Sequence, residues 1–179
     1  ERADADTKEA FGELREALGD RLEEVDLFSS STSAWDTHKT IMEAEMASSL
    51  EREWTRGRDK LSPTLRALIE RGREVRAVDY QAALRAIGYM ADKLDELFME
   101  RYDAILTPSA LGTAPKGLSA TGDPAFCTPW TLCGVPSISL PLMRGENGLP
   151  LGVQLVGRRG FDARLLRTAR WLTEKAGRS

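Results

Sequence analysis

The chain is expected to be an α/β protein, helix-rich up to residue 103 and built of short strands, turns and one last helix from residue 104 onward. Three changes at that point support this. Seven of the eight prolines and ten of the fifteen glycines fall after residue 103, so helix breakers concentrate there. The spacing of apolar residues changes from every third or fourth position to every second. Residues 1–103 carry 24 acidic against 16 basic side chains and the remainder 4 against 9, so the two segments have opposite net charge. A length of 179 residues suits one domain. The expected organisation is a helix-rich segment, 1–103, and a strand-hairpin-helix segment, 104–179, of the same domain.

In the first segment, Asp6 or Thr7 is placed to cap a helix carrying Phe11, Leu14 and Leu18 on one face, with Gly19 to end it. A short strand is expected at 24–28. Ser33, with Asp36 three residues on, has the form of a capping box. Met42, Met46, Leu50 and Trp54 then recur every fourth residue, which predicts one long helix with those side chains as its core stripe. Ser62-Pro63 reads as an N-cap followed by proline in the first turn, and Gly72 as the end of that helix. Asp79 is the expected cap of a longer helix with Leu84, Ile87, Met90, Leu94, Leu97 and Phe98 facing inward.

In the second segment, residues 104–107 form a short apolar run stopped by Pro108, and a Gly- and Pro-rich loop of about eighteen residues follows, a length usually tied to function. Thr128-Pro129 opens a one-turn helix that Gly134 closes. Residues 137–142 and 151–156 alternate as strands do, and Glu146-Asn147-Gly148 supplies the turn of a hairpin between them. Phe161-Asp162 begins a final helix with Leu165, Leu166, Ala169 and Leu172 on its packing side. Short connections place all three strands in one sheet.

Composition removes several classes of function. With 41% apolar and 30% charged residues and no apolar run of spanning length, the chain is not expected in a membrane. A net charge of −3 offers no basic surface for nucleic acid. Cys127 and Cys133 lack the partners of a zinc site and read as free thiols in a reducing cytoplasm. A start at Glu1 with neither Met nor an apolar leader is expected of a piece of a longer protein.

The residues themselves form no complete active site. His38 is the single histidine, and Asp36 and the serines around it share one helix start, where nucleophile, base and orienting acid do not meet as a triad requires. The glycines fit neither the dinucleotide nor the P-loop spacing. The stretch of special character is 122–141, where an aromatic pair, a thiol and hydroxyls sit on a braced loop beside a strand. Such a loop either lines a ligand pocket or plugs the core, and composition alone favours the plug.

Three landmarks in order, Tyr102 to Ser109, Phe126 to Pro141, and Gly148 to Gly157, resemble the amidase-signature family, followed as in that family by a helix carrying Asp162, Leu165 and Leu166. The resemblance covers the chain from about residue 60. It implies the C-terminal portion of an α/β/α fold with a mixed sheet and flanking helices. It also implies an amide hydrolase acting by acyl transfer to a serine, aided by a second serine in a cis peptide and a lysine, without a cofactor or metal. No stretch here matches the motifs that carry those residues, so no catalytic position is assigned in this chain, which is expected to be inactive alone. Lys60, Lys93 and Lys116 read as surface lysines. Ser109, Phe126, Cys127 and Trp130 are the implied substrate-binding residues. The implied partners are a small amide and the missing N-terminal half, without nucleic acid or membrane, and an uncovered sheet edge makes a homo-oligomer possible. The alternatives are a self-standing interaction or ligand-binding module, and part of an amidotransferase A subunit for tRNA-linked amide synthesis.

Overall fold

A computed structural model describes residues 2–27, 33–118 and 120–176. The chain divides into two compact units, one made of residues 1–27 and 91–179 and the other of 28–90. The helix-to-strand change at 104 is therefore not where the compact units divide.

The unit of residues 28–90 is helical. Ser33 caps α2 (Ala34–Ser49), its hydroxyl accepting from the Asp36 N–H at 3.3 Å. Ser62 caps α4 (Pro63–Glu74) in the same way, accepting from Leu65 N–H at 3.2 Å, with proline in the first turn. Between them the expected long helix is broken, and α3 (Glu51–Gly57) begins afresh after Leu50. The expected stripe of Met42, Met46, Leu50 and Trp54 is only half-buried, while α2 buries Ala34, Thr37, Ile41 and Ala47 instead. Trp54 lies under the Arg58 guanidinium at 4.3 Å, an arrangement that shelters an aromatic ring without a core. Gly72 does not end α4. It is buried against α2, where an added Cβ would stand 1.9 Å from the Glu43 carbonyl oxygen, so glycine is what lets the two helices touch. Glu43, 5% exposed, accepts from Arg71 Nε at 2.7 Å. α5 (Ala77–Glu100) begins in this unit and continues into the other. Its first turn holds Asp79, paired with Arg76 in two hydrogen bonds of 2.7 and 2.9 Å that keep the carboxyl below its usual range.

The other unit is built on a three-stranded sheet of order β1-β3-β2, antiparallel throughout, from β1 (Ile105–Pro108), β2 (Ser137–Arg144) and β3 (Pro150–Val156). The expected hairpin and the expected single sheet are both present. Gly148, at φ 78°, and the Asn147 side chain, which accepts from Leu149 N–H at 3.0 Å, make the turn. β2 runs two residues past its expected end because the register shifts between Leu140 and Met143, around Pro141, which has no N–H to give to a ladder. One face of the sheet, with Met143, Leu151, Val153 and Leu155, forms the core together with Leu14 and Leu18 of α1 (Ala5–Leu18) and Leu165, Ala169 and Leu172 of α7 (Asp162–Ala176). Fully burying side chains such as Leu155 and Leu172 stabilises by roughly 1.5–3 kcal/mol each.

Asp4, not Asp6 or Thr7, stands at the start of α1, and its side chain makes no capping bond. Asp6 instead accepts from the Glu146 backbone N–H at 3.1 Å, and Thr7 is buried. Residues 24–27 form no strand, and Phe28 lies outside the described residues. Leu166 is 58% exposed, because the buried side of α7 follows positions 165, 169 and 172. No described helix is long and apolar enough to cross a membrane.

Candidate functional site

The sheet face turned away from the core carries a polar row. Strand alternation puts Thr107, Gln154 and Ser139 in one cross-strand row, since Thr107 and Ser139 both pair with Gln154 in register. Beyond the end of β1 the ladder continues, with Ser109 N–H donating to Gly152 O at 2.9 Å. Ser109, one residue past β1, and Ser139 of β2 flank the central strand, yet their hydroxyls meet at 2.7 Å. Glycine at 152 on the central strand permits this, because a Cβ there would stand 2.7 Å from each Oγ.

Gln154 is 5% exposed and donates from Nε2 to Ser137 Oγ at 3.2 Å. Its Oε1 and the Thr107 Oγ1 are both shut off from solvent and have no hydrogen-bond partner among the described residues. A buried polar atom left so costs about 1–3 kcal/mol, so this face carries unmet demand for a donor at Gln154 and for a hydrogen-bonding group at Thr107.

The loop that borders this face is braced as its composition suggests. Asp123 Oδ1 accepts from Ala125 N–H at 2.9 Å, and the Pro124 carbonyl accepts from Cys127 N–H at 2.8 Å. α6 (Thr128–Cys133) follows, closed by Gly134 in the left-handed conformation, with Val135 N–H reaching back to Trp130 O at 3.2 Å. Arg159 donates to the carbonyls of Cys133 and, at 3.2 Å, Gly134, covering the end of that short helix. Arg158, in the same loop, forms a bidentate pair with Asp95 of α5 at 2.6 and 2.9 Å, and these bonds hold the Asp95 carboxyl below its usual range.

Of the four residues expected at a substrate wall, Ser109 and Cys127 are in direct contact, the thiol donating to the Ser109 carbonyl at 3.6 Å. Phe126 is half-buried beside Cys127, and Trp130 is 4% exposed, placed as a support inside the fold. Cys133 is fully buried, and burial pushes its thiol up to about 11, so it is a packing residue. Thr107, Ser139 and Gln154 were not singled out by sequence reasoning. Their only signal was polar residues at alternate strand positions, a pattern that ordinarily marks a solvated face.

No serine here has a base beside it. The Ser109–Ser139 pair holds two neutral hydroxyls, and His38 belongs to the other compact unit. Lys60 and Lys116 are exposed, and Lys93 stands 4.0 Å from Glu96. Among the described residues no group of three His, Cys, Asp or Glu side chains is placed to hold a metal. The arrangement can bind and orient a polar group, and nothing in it activates a nucleophile.

The Amidase family model matches residues 2–166. Over 98 residues the chain is 38% identical to the A subunit of the glutamyl-tRNA(Gln) amidotransferase of Thermotoga maritima, an alignment covering 51% of this chain and 20% of that protein. A solved amidase superposes with a TM-score of 0.86 at 24% identity, over 97% of this chain and 43% of its own. A 6-aminohexanoate cyclic dimer hydrolase does so with a TM-score of 0.78 at 22% identity, over 96% of this chain and 41% of its own. The chain thus spans less than half the length of these proteins, and its helices and antiparallel sheet follow the fold that the two solved structures share. By the extent of the family match, the chain belongs to the amidase-signature family.

Proposed function

We propose that this chain forms one wall of the substrate site of an enzyme that hydrolyses carboxylic amides by acyl transfer to a serine. The nucleophilic serine, the second serine in a cis peptide and the lysine lie outside the chain, which is inactive alone. The observation that carries this reading is the accessible Ser109–Ser139 hydroxyl pair beside Cys127, which has no base next to it among the described residues, in a chain whose family match runs from residue 2 to 166. A face built this way suits an amide whose polar groups meet the Ser109 and Ser139 hydroxyls and whose neighbouring groups meet Cys127 and Phe126. Trp130 supports the wall from behind. The two free thiols suit a reducing, cytoplasmic setting.

The division of labour is physically reasonable. Acyl transfer needs a base within hydrogen-bond reach of the nucleophile and donors fixed where the oxyanion develops, and a specificity wall contributes neither. Treatment with a fluorophosphonate, read by intact mass, should leave the chain unlabelled. Expressed together with the polypeptide encoded immediately upstream, amide hydrolysis should appear and the label should fall on that polypeptide. Stoichiometric labelling of any serine in this chain alone overturns the proposal.

A second reading, part of an amidotransferase A subunit, is favoured by the 38% identity over 98 residues to a protein of that name. Recovery of companion subunits in a pull-down from source cells supports it, and recovery of none supports a free-standing amidase.

A further inference from the structure

A cleft of about 680 Å3 opens on the helix-covered side of the sheet, where the end of α1, the turn from α5 into β1 and one side of α7 meet. It is separate from the Ser109 face. Leu106 and Leu155, cross-strand partners, form its floor, and on both strands the residues next to them, Thr107 and Gln154, belong to the opposite face. Leu18 and Leu172 of the core extend the apolar floor, and Trp171, 38% exposed, stands at its edge.

The rim has the opposite character. Arg21, Arg101, Arg164 and Arg167 line the cleft, and Asp103 is the only carboxylate among the lining residues. Arg164 is paired with Asp103, and Arg101 with Glu23 at 3.2 Å. Arg21 and Arg167 form no ion pair among the described residues. Two guanidinium groups without counterions at the mouth of an apolar cleft of ligand size call for a molecule with an anionic end and an apolar body. The low dielectric of the leucine floor strengthens the attraction of the rim for charge. Asp103 at the same mouth disfavours a doubly charged head, which leaves a single carboxylate, the group that the arginine fork matches.

We propose that this cleft binds an amphipathic carboxylate, an aliphatic chain ending in one carboxyl group, its tail over Leu106, Leu155 and Trp171 and its head held by the rim arginines. The site is independent of the amide reading, since it lies on the other face of the sheet and uses none of the same residues.

The probe is dodecanoate below its micelle concentration, titrated calorimetrically into the chain beside dodecanol and dodecyltrimethylammonium. One saturable equivalent is expected, with dodecanoate bound at least tenfold tighter than either comparison ligand. The double variant Arg21→Ala/Arg167→Ala should weaken dodecanoate about tenfold and leave dodecanol unchanged. Both side chains are exposed, so the variant should fold, which circular dichroism checks. A second measurement needs no variant: dodecanoate should slow phenylglyoxal modification of Arg21 and Arg167, read by peptide mass, and leave Arg85 unaffected. Absence of saturable binding, equal affinity for dodecanoate and dodecanol, an undiminished double variant, or unprotected Arg21 and Arg167 would each overturn the assignment.

Discussion

Replacing Gly72 by alanine sets two effects of known size against each other. The new methyl carbon would stand 1.9 Å from the Glu43 carbonyl oxygen, 2.6 Å from its carbonyl carbon and 2.9 Å from the Ala47 Cβ. These atoms belong to the backbone of α2 or are fixed to it, so none can rotate aside. Restoring van der Waals contact requires α2 and α4 to separate by about 1.5 Å at this point. Such a shift loosens Ile69, which is wholly buried, together with Ile41 and Ala47. Overpacking of this kind costs roughly 1–3 kcal/mol and occasionally more. Alanine gains at most about 1 kcal/mol over glycine inside a helix, and less at position 72, two residues before α4 ends. The clash therefore outweighs the propensity gain, for a net loss of about 1–2 kcal/mol and a melting temperature lowered by roughly 2–8 °C. Gly88→Ala is the matched control. It lies inside α5 with nothing within 4 Å of the added Cβ, and should stabilise by about 0.5–1 kcal/mol. Thermal and urea unfolding followed by circular dichroism measure both. If Gly72→Ala proves as stable as the parent, or gains as Gly88→Ala does, the close approach of α2 and α4 is wrong.

The Ser109–Ser139 contact gives a milder expectation for Gly152→Ala. There the added methyl meets two hydroxyl ends that can turn away and, at 3.0 Å, the Ser109 Cβ, which must give by a few tenths of an ångström, so the loss should be about one hydrogen bond, roughly 0.5–1.5 kcal/mol, and smaller than for Gly72→Ala in the same denaturation assay. Arg71→Met removes the partner of a carboxylate that is 5% exposed and should cost about 1–3 kcal/mol in urea unfolding, a cost that Glu43→Gln in the same background should relieve; no relief would show that the pair is not coupled. Burial raises the Cys133 thiol from an ordinary value near 9 to about 11, so the unfolded chain loses that proton first; stability is unaffected below pH 9 and falls as pH rises from 9 to 11, and Cys133→Ala should flatten this decline. In the folded chain a disulfide reagent at pH 8 should consume Cys127, and Cys133 only on unfolding; the reverse order would contradict their burial.

The fold was legible where its causes are local. Ser33 and Ser62 cap as expected because an N-cap bond spans only three residues of chain, and Glu146-Asn147-Gly148 turns as expected because the left-handed glycine and the asparagine carbonyl act within the turn. The readings that failed depend on partners far off in sequence. Gly72 looks like a helix terminator until the backbone of Glu43, twenty-nine positions earlier, is laid against it. Trp54 has the spacing of a core residue, but an arginine four residues on covers its ring. Thr7 has the chemistry of a cap, and the packing around α1 buries it in the helix instead.

The candidate site was legible in outline for a related reason. Ser109 and Cys127 stand on segments whose glycines and prolines mark them, and the structure brings the Cys127 thiol onto the Ser109 carbonyl. Gln154, Thr107 and Ser139 carry no such mark, because a polar residue at every second position of a strand normally means that one face meets water. What separates them from a solvated face is the loss of solvent at Gln154 Oε1 and Thr107 Oγ1, a property of the assembled unit and of no window of sequence. The rim of the cleft is harder still to foresee, since Arg21, Arg101, Arg164 and Arg167 come from three separate stretches and in sequence resemble any other exposed arginines. Sequence patterns report what each element does to its own neighbours. The polar row and the cationic rim arise only where strands and helices from opposite ends of the chain meet, and that is where the two binding proposals rest.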